Sequence, residues 1–125
     1  METIEKISKH EFRKVLQGFI GTEQYHRHRF HNGMFLLLTD RCTYIREKGE
    51  AYWLFDLILS WQLKLRKHRF QVWKLQIHDD CSCYAECSDG NNNVIVGQEI
   101  PYSDFPIESI EIWVIDGVAL LPSEY

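Results

Sequence analysis

From Glu50 to Lys67 apolar positions recur at helical spacing: Ala51, Leu54, Leu57, Ile58, Trp61 and Leu65 share one side, while Asp56, Ser60, Lys64 and Lys67 fall opposite. The spacing predicts a long helix laid on a sheet. Side chains of this size contribute roughly 1.5–3 kcal/mol each when buried, which makes the stripe, Trp61 included, the largest predicted stabilising block. The basic run from Lys64 to Arg69 suits the end of that helix, where unpaired carbonyls carry partial negative charge. A second, shorter helix is predicted from Lys9 onward. Ser8 and Glu11 make its capping box, and Ile7 and Phe12 the matching hydrophobic staple. Phe12, Val15, Leu16 and Phe19 line one face, and Gly18 supplies a stop.

Elsewhere the pattern has the period of a strand. Met34 to Thr39 is a continuous apolar run that predicts a buried strand; Asp40 and Arg41 then turn the chain, and Cys42 to Arg46 pairs back as the second strand of a hairpin. Phe70 to His78 alternates, with Trp73, Leu75 and Ile77 on one face and Val72, Lys74 and Gln76 on the other. Cys81 to Cys87 alternates likewise, and the turn residues Ser88 to Asn93 join it to a strand from Val94 to Ile100. Pro101 and Pro106 exclude a central strand between them. Ser109 to Ile115 and Val118 to Leu121 flank Asp116-Gly117, the dipeptide best suited to a two-residue hairpin turn. The expected fold is α+β: a single curved antiparallel sheet of about five to seven strands, with two helices packed on one face.

At 125 residues the chain fits a single domain, 1–125, long enough to close one core without staples. A net charge of −4 argues against a general nucleic-acid coat, so direct nucleic-acid binding is not expected. The first residues lack the apolar core of a leader, and no run approaches the ~18 apolar residues that cross a bilayer. A cytoplasmic protein with no membrane contact is expected. Its four cysteines do not form a secreted disulfide framework, because neighbours such as Cys81 and Cys83 point the same way along a strand.

Charge is distributed unevenly. No Lys or Arg occurs from Asp79 to Tyr125, whereas Asp79, Asp80, Glu86, Asp89, Asp104, Glu108, Glu111, Asp116 and Glu124 all lie there. A one-signed negative face suits a basic partner whose groove otherwise holds phosphates, and Asp79, Asp80, Glu86, Asp89, Asp104 and Glu108 are the candidate partner-binding residues. Plain solubility would also favour acidic loops.

A second candidate is the run from Tyr25 to His31, in which Tyr25, His26, Arg27, His28 and Arg29 are placed to bind an anion, a small ligand or a nucleotide. Its plainer reading is a solvated loop. The cysteine cluster offers soft ligands, but same-face side chains of a strand stand ~6–7 Å apart, too far for neighbouring thiolates on one metal. Small cysteines on a core face are the simpler account, so no metal and no cofactor are assigned. The basic run after Trp61 is accounted for by its helix end. Catalytic signatures such as GxSxG, HExxH or a phosphate-cradling glycine loop are absent, and no enzyme activity is expected.

Three stretches carry a resemblance: Gly21 to His28 (GTEQYHRH), Leu37 to Asp40 followed by Ala51 to Asp56 (LLTD, AYWLFD), and Asp116 to Tyr125 (DGVALLPSEY). Together they resemble a small uncharacterised family, a domain of unknown function of bacteria, phages and plasmids. The resemblance implies no activity. It does imply a setting in mobile genetic elements, where small acidic proteins block host defence enzymes. The expected function is thus a stoichiometric inhibitor of a nucleic-acid-targeting defence system, such as a CRISPR effector, acting on a basic host protein through the acidic face. A small-ligand domain using the His/Arg run and a metal-binding domain or metal-dependent enzyme are the alternatives.

Overall fold

The computed structural model describes residues 8–17, 24–29 and 33–125. Ile7, Gly18, Phe19 and His31, and the side chain of Leu16, lie outside what it describes. The first helix, α1, is Lys9–Gln17. One half of the expected capping box is in place, the Ser8 hydroxyl accepting the Glu11 N–H at 3.2 Å. Phe12 enters the core between the rings of Tyr44 and Phe105, while Val15 stays exposed.

Among the described residues there are three α-helices rather than two. The segment expected to return as a hairpin strand is α2, Asp40–Lys48. Thr39 is the reason: its backbone is extended, its hydroxyl accepts the Cys42 N–H at 3.3 Å, and Asp40 opens the first turn while Arg46 and Lys48 close the last. Leu38, Cys42 and Ile45 are all buried, a three-to-four-residue spacing that overrides the β propensity of Cys-Thr-Tyr-Ile. Gly49 caps the end of the helix, at a place where a Cβ would meet the Ile45 carbonyl at 2.5 Å. The chain then turns through Glu50, at φ 51°, into α3.

α3 is Tyr52–Ser60, shorter than the stripe that predicted it. The Ser60 hydroxyl donates to Leu57 O at 2.6 Å and the Gln62 amide to Ile58 O at 2.9 Å, so tight turns replace the helix from Trp61 to Lys67. Those turns still bring Leu65 into the core. Leu54, Leu57 and Ile58 are buried as expected and are joined by Phe55 and Leu59, but Trp61 is only half-buried and donates through Nε1 to Gln98.

The described residues form seven strands: β1 His26–Arg29, β2 Phe35–Leu38, β3 Phe70–Ile77, β4 Cys83–Ser88, β5 Val94–Ile100, β6 Ser109–Ile115 and β7 Val118–Leu120. They form a single sheet in the order β1-β2-β7-β6-β3-β4-β5. The sheet is antiparallel except where β2 lies parallel to β7. Asp116 and Gly117, both at positive φ, make the β6–β7 turn as the dipeptide requires.

One face of the sheet is buried. Leu36, Leu38, Trp73, Leu75, Cys83, Ala85, Cys87, Ile112, Val114 and Ala119 join Phe12, Cys42, Ile45, Leu54, Phe55 and Ile58 in one core. The Trp73 indole finds its acceptor in the buried Gln71 side chain at 3.0 Å. By register the opposite face carries Phe70, Val72 and Trp113 toward one end, then Lys74, Glu86 and Glu111 in one row and Gln76, Tyr84 and Glu99 in the next. Among the described residues no α-helix covers this second face; its aromatic end is met only by the ring of Tyr125, which packs against Phe70 and Trp113.

Phe55→Ala is expected to cost about 3–5 kcal/mol, as for a fully buried aromatic, and Trp61→Ala less than half as much. Urea titrations of the two variants measure the difference; equal losses would mean that Trp61 is a core residue after all.

Candidate functional site

Strand alternation divides the His/Arg run. His26 and His28 pair with Leu38 and Leu36 and face the helices, whereas Arg27 and Arg29 face the other way. His26 Nε2 lies 2.9 Å from Asp40 Oδ1 and His28 Nε2 2.7 Å from Asp56 Oδ1. His28 is buried at 4% exposure, and its Nδ1 is 3.3 Å from Arg46 Nη1. A guanidinium has donors only, so Nδ1 must accept and Nε2 must carry the proton given to Asp56. Both imidazoles thus tie β1 to α2 and α3. Arg27 stacks 4.9 Å over Phe35, and Tyr25 and Arg29 are exposed, so the five residues do not converge on one ligand.

The six candidate carboxylates also separate. Asp79 and Asp80 form the β3–β4 turn, and the β5–β6 connection brings Asp104 and Glu108 to the same end, since Ser103 N bonds Cys81 O at 2.7 Å and Ile77 N bonds Glu108 O at 2.7 Å. Glu86 lies on the open face of β4, and Asp89 sits in the β4–β5 hairpin at the far end. Some of these charges build the fold. Asp80 accepts the Ser82 hydroxyl and N–H, which hold its carboxyl below the usual range. Asp89 is held low in the same way by the side chain of Asn93 and the N–H of Asn91. Glu108 is gripped by Lys9 and Arg13 of α1, so its charge is balanced.

Where β3, β4 and β5 end on the open face, a cleft of about 650 Å³ is lined by Gln76, His78, Ser82, Cys83, Tyr84, Glu99, Ile100 and Pro101. The β3–β4 turn forms its end wall: His78 N bonds Ser82 O at 2.8 Å, and Cys81 takes φ 68°. Asp80 and His78 are close enough for the imidazole to help lower the carboxyl. Tyr84 lies across Gly97 of β5, where a Cβ would stand 1.8 Å from its hydroxyl. Glu99 is paired with Tyr84 and adds an exposed carboxylate that the sequence reading missed. A glycine inside a strand is the signal that marks such a close approach. The cleft can hydrogen-bond a polar group and attract a cation; it lies beside Asp79.

Cys42, Cys83 and Cys87 are buried and Cys81 is exposed, all four as free thiols. Burial raises the pKa of the three buried ones, Cys87 up to about 12. Among the described residues no three His, Cys, Asp or Glu side chains form a group able to hold a metal ion. None of the described helices is long and apolar enough to cross a membrane.

The model of a family of unknown function (DUF6876) matches residues 10–125. No curated protein and no solved structure matches the chain.

Two measurements check this geometry. Imidazole nitrogen shifts near neutral pH should show His28 protonated at Nε2 and bare at Nδ1; the opposite tautomer would break the assigned bond to Arg46. Thiol labelling of the native protein should modify Cys81 fast and the other three cysteines roughly a hundredfold or more slowly, through local opening. Comparable rates at all four would place Cys42, Cys83 and Cys87 outside the core.

Proposed function

The chain belongs to this family of unknown function, and we propose that it is a non-catalytic binding protein whose acidic β3–β4–β5 end docks on a basic protein surface. One observation carries the reading: Asp79, Asp80, Asp104 and Glu99 gather at the end that holds the cleft, in a stretch from Asp79 to Tyr125 without Lys or Arg. Carboxylates spaced along turns resemble phosphates to a basic groove, and the partner's Arg and Lys release counterions to them as they would to a nucleic acid. In its specific form the proposal is a cytoplasmic protein of a bacterial mobile element that occupies the nucleic-acid groove of a host defence effector of the CRISPR type.

The two histidines of the β1 run are engaged by Asp40 and Asp56, and this weighs against the small-ligand alternative built on them. Glu108, held by Lys9 and Arg13, and Asp89, at the far end of the sheet, contribute little to the docking surface in this reading.

The test is co-migration of the purified protein with a panel of effector complexes, followed by association rates at two salt concentrations. The informative variant pairs Asp79→Lys with Asp80→Asn, because an amide oxygen keeps the turn bond to Ser82 that lysine would lose. Stability should stay within ~0.5 kcal/mol of the parent, and association should slow about tenfold or more at low salt. No partner in the panel, or a rate indifferent to both salt and the variant, would reduce the acidic end to a solubility device.

A further inference from the structure

β5 is the last strand of the sheet, and among the described residues it is paired on one side alone, with β4. Sheet margins are normally kept short or guarded by Lys, Pro or a bulge, because their unpaired N–H and C=O groups accept any extended chain. At the other margin β1 has four residues, two of them arginine. β5 has seven, reads Val-Ile-Val-Gly-Gln-Glu-Ile, and contains neither Lys nor Pro. The bulge in its pairing lies at the Val94 end, and from Val96 to Ile100 the register against β4 is regular. A regular, unguarded margin therefore runs directly alongside the cleft that Glu99 and Ile100 help to line.

We infer that the free margin of β5 receives an extended segment of a partner protein as an added strand, with Lys or Arg alternating with apolar residues. The side chains of β5 set that alternation. On the open face an added strand would place one residue beside Glu99, within the ~4.5–5.5 Å between Cβ atoms that lets cross-strand charges pair. Its neighbour two residues on would stand beside Gly97, where the Tyr84 hydroxyl takes the place of a side chain. A basic side chain fits both places, and Glu86 in the next strand adds a second negative charge to the Gly97 row. On the other face the half-buried Val96 and Ile100 offer apolar contacts to the intervening residues. Main-chain bonds would supply affinity and the alternating side chains specificity, as in other strand additions. The inference rests on the acidic end being a docking surface and names how the partner meets it.

The probe is a capped seven-residue peptide alternating Lys and Val, with two further copies N-methylated on the lysines or on the valines. In an added strand one alternate set of N–H groups faces β5 and the other faces water. Binding to the full chain should protect from exchange the alternate backbone amides of residues 94–100 that face away from β4. One methylated copy should lose affinity about tenfold or more while the other keeps it. The protein variant Glu99→Lys should weaken the unmodified peptide about tenfold. If both methylated copies bind like the parent peptide and still respond to salt, the contact is charge adsorption: the strand addition fails while the acidic docking surface stands. A Glu-for-Lys peptide binding equally well would overturn both. Concentration-dependent protection of residues 94–100 without peptide would assign the margin to a second copy of the chain and overturn the inference, as would no binding at all.

Discussion

Burial of a single face of the β3–β6 pair under α3 is the constraint from which the rest of the arrangement follows. Trp73, Leu75, Ile112 and Val114 meet Leu54, Phe55 and Ile58, and because side chains alternate along a strand, every other residue of the same strands is committed to the opposite face. A slip of one residue would exchange Trp73 and Leu75 for Lys74 and Gln76 in the core, at a cost no surface contact offsets. Register therefore decides chemistry as well as packing. It sends Cys83 and Cys87 inward as inert thiols and leaves Tyr84 and Glu86, their neighbours, facing outward.

Carboxylates at the strand ends do two kinds of work. Asp80, Asp89 and Asp116 are held below the usual carboxylate range, by Ser82, by Asn93 and by Arg69 respectively, because the charged form accepts their bonds. A depressed acid stabilises the fold above its unfolded-state value of 3.8 and loses that contribution as the pH falls through its folded value. Asp80 and Asp116 are exposed and Asp89 is half-buried at the surface, so screening keeps each effect small and local to its turn. What remains for a partner is the set that the turns do not consume, Asp79 and Glu99 foremost.

Much of the fold was legible because its signals are local. The Ser8 cap, the alternation in β3, β4 and β6, the prolines after β5 and the Asp116-Gly117 turn each name their structure within a few residues. The α2 segment carries two signals, the β propensity of Cys42 to Ile45 and the helical spacing of Cys42 and Ile45, and Thr39-Asp40 serves a turn and a helix start equally well. The parallel contact of β2 with β7 had no local signal, since it joins residues about eighty apart. For the same reason the cleft was invisible. Gln76, Tyr84 and Glu99 come from three strands and meet only once two registers are set, although Gly97 marked the place where Tyr84 crosses.

The two margins of the sheet show how period-2 geometry turns a motif into a role. On β1 alternation splits HRHR into an inner pair bonded to Asp40 and Asp56 and an outer pair of arginines, so the strand is fastened from the helix side and guarded on the open side. β5 reverses both features. Its fastening to the helical layer includes a single indole bond, Trp61 to Gln98, and its open side carries a carboxylate and a glycine in place of guanidiniums. A chain that adds to a sheet needs a margin it can reach, a face that does not repel it and a place for its side chains. Lys and Arg are present through the first part of the chain and stop at Lys74, just short of the β3–β4 turn, so a basic added chain would meet a carboxylate at the β5 margin and guanidiniums at β1, as the proposed strand addition requires. The uneven distribution of charge along the chain thus gives the two margins of the sheet opposite signs, a physical consequence that composition alone does not reveal.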